Sequence, residues 1–214
     1  MAFVSDVRVF NTSYTDVLSV TAVYRFNGAS QVFQLAPREA RAFDDICVSL
    51  FATPQSLGAV EFTSNSDDLL VTSQLRSPAD GGGHVGMFVP GLESSEASVV
   101  SVLTSLVNGD SRTNVGVYNP NGVSVTATIR LFDGSVLLGT TSFVLGPHAV
   151  TQVNNIYGEV GFGSLVRSNG YATVESDNPA APLFTYAAEA DNRSGDLILI
   201  IGAGPIVIGQ ACEF

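Results

Sequence analysis

The sequence predicts an all-β chain, and three observations lead to that fold class. Runs rich in β-branched and aromatic residues recur along the 214 residues, separated by turn signals about every 8–12 residues. No long run shows the 3.6-residue apolar period of an amphipathic helix. The segment Ser5–Asn11 also has an echo at Thr113–Asn119, which indicates that one β unit is used twice.

The first unit is predicted to consist of short strands joined by tight turns. Asn27-Gly28 separates the first hairpin strands, because both central residues of a type I′ turn need positive φ and this pair tolerates it well. Asp44–Phe51 is predicted to form one or two helical turns, with an Asp at its start accepting from backbone N–H groups. The predicted strands cover residues 3–11, 17–26, 30–35, 40–43, 58–63, 69–76 and 85–89.

The second unit is predicted to repeat this order after a small, polar, acidic linker at Leu92–Ala97. Asp133-Gly134 takes the place of Asn27-Gly28, and Asn154-Asn155 takes the place of Asp44-Asp45. Its last strands are predicted at residues 183–188 and 197–201. The predicted units therefore cover residues 1–91 and 98–203. Two units of about 100 residues with this pattern are typical of tandem immunoglobulin-like β-sandwiches.

One strand is missing from the first unit and one is left over at the end of the chain. The second unit begins with a strand over residues 98–107 that has no counterpart in the first, whereas Pro205–Ala211 has no assigned place. We expect residues 204–211 to complete the first unit, within the chain or in a neighbouring copy, where strand exchange would give a homodimer. Cys47 and Cys212 could then meet as a disulfide, although two unrelated thiols are the favoured interpretation of the sequence.

Composition excludes two classes of partner. The net charge is −11, with nine Arg and no Lys, and such an acidic chain does not suit nucleic acid or anionic membranes. The most apolar run, Leu197–Gly209, is too short for a membrane-spanning helix and contains Pro205, so we expect no membrane insertion. The first residues lack the basic and apolar regions of a secretion signal, so we expect any such signal to lie outside these residues.

Three segments of the second unit together resemble tandem β-sandwich modules appended to secreted bacterial proteins: Arg112–Pro120, Leu145–Ile156 and Tyr186–Asp196. The resemblance covers nearly the whole chain, although the first unit has residues 77–83 in place of the loop Asp191–Asp196. It implies an extracellular or cell-surface accessory role. It carries no activity, cofactor or site residue with it.

Two acidic loops are the candidate ligand sites. Asp67 and Asp68 lie between two strands, and Asp191 and Asp196 flank a turn that contains Arg193. Their oxygens can bind Ca²⁺, but neither loop has the ligand spacing of an EF-hand, and solvated or rigid turns are the alternative. At Asp44-Asp45 helix capping is favoured over catalysis, because the second unit has Asn there and Asn cannot exchange protons as a carboxylate does.

No sequence motif indicates an enzyme. His84 and His148 stand alone at predicted turns, and zinc sites need three or four clustered ligands. Nucleophile, zinc-protease and phosphate-loop motifs are missing from the sequence, so we assign no catalytic, metal or cofactor residues. The leading hypothesis is a non-enzymatic extracellular spacer, adhesion or accessory module that contacts a protein or glycan surface. The alternatives are a carbohydrate- or Ca²⁺-binding module and an unrecognised hydrolase that uses carboxylates.

Overall fold

The computed structural model describes residues 4–54, 56–78 and 82–194, and the backbone of residues 197–201. Strands hold 58% of the residues and helices 6%, so the predicted all-β class is confirmed. The sheets are antiparallel, β-sandwich-like and not a barrel. The chain divides into two compact units, the first ending at Leu92 and the second beginning at Glu93. In the described residues, no helix is long and apolar enough to cross a membrane.

Unit 1 contains two sheets and a single helical turn. One sheet has the strand order β4-β1-β6-β7 and the other has the order β3-β2-β5. The helical turn, α1, covers Ile46–Ser49. The strands are β1 Val4–Asn11, β2 Leu18–Tyr24, β3 Ala29–Leu35, β4 Ala40–Phe43, β5 Val60–Ser64, β6 Leu69–Pro78 and β7 His84–Pro90.

Unit 2 uses the same pairings and adds one strand. In unit 1, β1 pairs with β4 and β6, and the equivalent strand β9 of unit 2 pairs with β12 and β14. Likewise β2 pairs with β3 and β5, and its equivalent β10 pairs with β11 and β13. A 3₁₀ turn at Ser94–Glu96 precedes it, and the helical turn α2 covers Ile156–Glu159. The strands are β8 Val100–Asn108, β9 Ser111–Tyr118, β10 Val125–Asp133, β11 Val136–Leu145, β12 Val150–Val153, β13 Arg167–Ser176, β14 Phe184–Asp191 and β15 Leu197–Ile201.

Alternating side chains of the central strands build each core. In β2 every second residue is buried, from Leu18 to Tyr24, and in β10 the same alternation runs from Val125 to Leu131. Successive side chains of a strand point to opposite faces, so one face of each of these strands enters a core. The core of unit 1 therefore lies between its two sheets, whereas the strands around the core of unit 2 form one eight-stranded sheet, in which β8 pairs with both β13 and β9.

The extra strand β8 closes one side of unit 2. It pairs with β13, and its residues Leu103 and Leu106 are fully buried in the core of that unit. Ser105 between them has a φ of 60°, and the register shifts there. Among the described strands, β5 in unit 1 pairs with β2 alone. The segment predicted to complete unit 1, residues 204–211, lies outside the described residues.

Two local predictions differ from the structure. The first helix is shorter than Asp44–Phe51, because Ala52 has a left-handed φ of 52° and Thr53 N–H donates to Cys47 O at 2.7 Å, which ends the turn. His84 was predicted to stand at a turn, but it is a strand residue. It begins β7, where it pairs with Pro78 of β6.

Candidate functional site

The polar residue most engaged with the backbone of unit 1 is Asn11, at the end of β1. Its side chain is fully buried, and Nδ2 donates to the carbonyl oxygens of Asp16, Leu35 and Ala36 at 2.8, 3.1 and 3.0 Å. Its Oδ1 accepts from Ser13 N–H at 2.9 Å. Buried carbonyl groups need partners, so this one amide holds together the loop after β1 and the end of β3.

Asn119 does the same in unit 2. Its Nδ2 donates to the carbonyl oxygens of Val123 and Gly146 at 2.8 and 2.9 Å, and more weakly to that of Leu145 at 3.4 Å. Its Oδ1 accepts from the N–H of Asn121 at 3.0 Å. The internal repeat of the sequence places Asn11 and Asn119 at equivalent positions but indicates no role for them. Their recurrence at the end of matching strands was the available signal.

The start of each helical turn depends on a second shared arrangement. Asp45 and Asn155 both have left-handed φ values, 46° and 53°. The N–H of Asp45 donates to Asp6 Oδ1 at 2.9 Å, and that of Asn155 donates to Asn114 Oδ1 at 3.0 Å. A carboxylate in one unit and an amide in the other therefore serve as the same backbone acceptor.

Helix capping by the side chain holds in one unit only. Asn155 Oδ1 accepts from Gly158 N–H at 3.1 Å, so the capping prediction is confirmed there. Asp45 makes no side-chain capping bond, and the prediction is wrong at that residue. The other predicted capping residue, Asp44, is exposed and pairs with Arg8 at 2.7 Å.

The most buried carboxylate of unit 1 is Asp6, which belongs to an ion-pair cluster. Its side chain is 11% exposed, and Arg76 Nε donates to Oδ2 at 2.5 Å. Burial opposes ionisation of Asp6, but the bonds from Arg76 and from Asp45 N–H outweigh it and hold the pKa below its ordinary value. Nη1 of Arg76 lies 3.2 Å from His84 Nε2. The cluster fastens β1 to β6 and to the turn before α1.

The loop with Asp67 and Asp68 uses its oxygens internally. Asp68 Oδ2 accepts from Ser66 Oγ at 2.6 Å, and its backbone carbonyl accepts from Thr12 N–H at 2.8 Å. Asp67 is exposed to solvent. The bonds of Asp68 connect the β5–β6 loop to the end of β1, which is a structural use of the carboxylate.

The loop that begins at Asp191 is a closed polar turn in unit 2. Asp191 Oδ1 accepts from the N–H groups of Ser194 and Arg193 at 2.7 and 2.8 Å, and these two bonds lower the pKa of Asp191. Asn192 accepts from Arg112 Nη1 at 2.8 Å and donates to Gly109 O at 2.9 Å. Asp196, the fourth candidate ligand, lies outside the described residues.

The remaining candidates do not assemble a reactive centre. His148 is a turn residue with a φ of 55°, and Cys47 is fully buried in α1. Cys212 lies outside the described residues. Within residues 4–54, 56–78 and 82–194, no group of three or more His, Cys, Asp or Glu side chains is placed to hold a metal ion.

A shallow apolar slot opens between the two sheets of unit 1. It lies between β5, the edge strand of one sheet, and the strands β6 and β7 of the other. Its only polar side chain is that of Ser73. The lining residues are Val7, Val60, Phe62, Val71, Ser73, Pro90 and Gly91. Such a slot suits apolar side chains and offers no polar group for small-molecule chemistry.

Comparison of the chain with models of known protein families, with curated proteins and with solved structures gives no match.

Proposed function

We propose that this chain is a non-enzymatic extracellular accessory module of a secreted bacterial protein, acting as a spacer or as an adhesion surface for protein or glycan. We further propose that its two units are copies of one immunoglobulin-like β-sandwich. The second proposal is supported by the shared strand pairings and by the matching asparagines, Asn11 and Asn119. The extracellular location rests on the resemblance of the second unit to modules of secreted proteins.

One observation carries the non-enzymatic proposal: the polar side chains that recur between the units serve the backbone. Asp6 in unit 1 and Asn114 in unit 2 accept a hydrogen bond from equivalent N–H groups, those of Asp45 and Asn155, although only Asp6 can ionise. Proton transfer at this position would require the carboxylate, because an amide does not titrate, whereas a backbone acceptor requires only an oxygen. The candidate ligands Asp68 and Asp191 likewise accept bonds from their own loops.

The Ca²⁺ alternative gives a direct test of this proposal. We expect the melting temperature of the purified chain to be the same in millimolar Ca²⁺ and in chelator, because Asp191 Oδ1 is already occupied by two backbone N–H groups. Asp191→Ala and the matched variant Asp110→Ala, which changes an exposed carboxylate of the neighbouring turn, separate a specific site from general charge. A Ca²⁺-dependent rise in melting temperature that only Asp191→Ala abolishes would show a calcium module instead.

Turnover separates the proposal from the hydrolase alternative. We expect no hydrolysis of an ester and glycoside panel by the wild-type chain. Hydrolysis that Asp6→Asn or Asp68→Asn removes, in a variant that remains folded at the assay temperature, would establish an enzyme. Binding of the intact chain to protein- or glycan-coated surfaces then distinguishes adhesion from a spacer role.

A further inference from the structure

The side of unit 1 that carries the apolar slot matches the side of unit 2 that β8 covers. In unit 2, Leu103 lies opposite Ala172 of β13, and Leu106 lies opposite Gly170. In unit 1, the strand that corresponds to β13 is β5, since both pair with the central strand of their sheet. The slot residues Val60 and Phe62 are on β5.

The register locates the matching residues closely. Val60 pairs with Tyr24, the last residue of β2, and Ala172 pairs with Leu131 near the end of β10. By that correspondence Val60 takes the place of Ala172, so a strand that covers β5 would put an apolar side chain opposite Val60. Phe62 lies two residues away on the same face and takes the place of Val174, which faces Ser101 of β8 in unit 2. Because Phe62 itself lines the slot, an apolar side chain opposite it would also meet apolar surface.

The last residues of the chain supply this pattern. The description of the chain ends at Ile201, and the sequence continues with Pro205-Ile-Val-Ile-Gly-Gln-Ala-Cys212. In an extended strand Ile206, Ile208, Gln210 and Cys212 would share one face, because alternate residues point the same way, and Val207 would lie on the opposite face. The two isoleucines are the apolar residues of this face that would meet the slot.

The helical turns differ between the units at one telling position. In unit 2, Tyr157 of α2 crosses the core and its hydroxyl donates to the carbonyl of Leu106 in β8 at 3.1 Å. In unit 1 the residue after the first isoleucine of α1 is Cys47, fully buried. The chain contains only one other cysteine, Cys212. Cys47 therefore takes the place of Tyr157, whose hydrogen bond connects α2 to β8 in unit 2.

We propose that residues 205–212 pair antiparallel with β5 of the same chain, with Ile208 opposite Val60, and that Cys212 forms a disulfide with Cys47. We take the same chain as the donor because covalent attachment gives a segment that can reach its site an effective concentration of about millimolar, far above that of a second chain in dilute solution. The two thiols lose two protons and two electrons, and oxidised glutathione accepts them as two reduced thiols.

The first experiment maps the disulfide in the full-length chain. The folded protein is equilibrated with an oxidised and reduced glutathione mixture, alkylated, digested without reductant and analysed by mass spectrometry, with its mass in solution measured by light scattering. We expect a Cys47–Cys212 linked peptide from a monomer. Two alkylated cysteines after equilibration, or the same link found only in a dimer, would overturn the proposal.

The second experiment tests the strand without the disulfide. In a Cys212→Ser background, Ile206→Asp with Ile208→Asp is compared with Val207→Asp, the matched control on the opposite face. We expect amide hydrogen exchange in β5 to accelerate about tenfold or more in the double variant, and much less in the control. Exchange in β10, a strand of unit 2, provides the internal reference. Equal effects of the two faces, or unchanged exchange in β5, would refute the pairing.

Discussion

Asn119→Ala should destabilise unit 2 severely, although it removes no apolar surface from the core. The substitution deletes two short bonds from Nδ2, to Val123 O and Gly146 O, one longer bond to Leu145 O, and the acceptor of Asn121 N–H. Each buried group left without a partner costs about 1–3 kcal/mol, and some of these groups can reach water after the change. We therefore expect a loss of about 3 kcal/mol, which lowers the melting temperature of a unit this size by roughly 12–24 °C.

Asn119→Asp keeps the shape of the side chain but replaces the Nδ2 hydrogen-bond donor with a carboxylate oxygen. A carboxylate would place a negatively charged oxygen against the carbonyl oxygens of Val123 and Gly146, so the folded state would raise the pKa of the introduced carboxyl group above its unfolded value of about 3.9. A raised folded pKa means that the folded state binds the proton more tightly. The penalty should thus be full at neutral pH and should shrink as the pH falls toward the unfolded pKa.

The assay is urea unfolding followed by hydrogen exchange of each unit, at pH 4 and pH 7. Asn154→Asp is the matched control, because Asn154 is exposed and the corresponding residue of unit 1 is already Asp44. Asn11→Ala should destabilise unit 1 by a similar amount. A loss below about 1 kcal/mol for Asn119→Ala, or equal effects of Asn119→Asp and Asn154→Asp, would refute this role of the buried amide.

Two further substitutions test other contacts. Asp6→Asn should lower the free energy of unfolding by only roughly 1 kcal/mol, since Asn114 performs the same task in unit 2 and Arg76 is partly exposed. Because the pKa of Asp6 is lowered in the folded state, wild-type stability should fall as the pH drops below the unfolded pKa toward the folded one. A variant that keeps the wild-type acid dependence in chemical denaturation would contradict this. Gly170→Ala should destabilise unit 2 strongly, because the added Cβ would lie 1.9 Å from the Tyr157 hydroxyl oxygen. The loss should be smaller in a Tyr157→Phe background, with a coupling energy of about 1–2 kcal/mol between the two substitutions. Additive effects in the double-mutant cycle would exclude that clash.

The strands were predictable because their signals are local. Asn27-Gly28 and Asp133-Gly134 do mark hairpins, and their glycines have positive φ values of 74° and 57°. The predicted type I′ turn is wrong, because it requires positive φ at both residues and neither Asn27 nor Asp133 has it. The alternation of Leu18, Val20 and Ala22 specifies which face of β2 is buried. The strand β4 was predicted with its observed ends, Ala40 and Phe43.

The roles of individual polar residues were not predictable in the same way. Asp6 meets Arg76 seventy residues later, and Asn11 meets the carbonyl of Leu35, so both roles depend on strand pairing that no local pattern contains. The N–H of Asp45 donates to Asp6, 39 residues earlier in the chain, so this contact also depends on the fold and not on a local pattern. The acidic loops were predicted as ligand sites because their carboxylates lie close together in sequence, whereas Asp68 and Asp191 accept hydrogen bonds from within their own loops.

Each unit is held by one buried asparagine amide, and the recurrent polar residues serve the backbone. Hydrogen exchange of side-chain amide groups, followed by NMR on the intact chain, tests this most directly. We expect the NH₂ groups of Asn11 and Asn119 to exchange far more slowly than that of exposed Asn154, and both to lose this protection when their own unit unfolds. Exchange of either group as fast as that of Asn154 in the folded protein would contradict it.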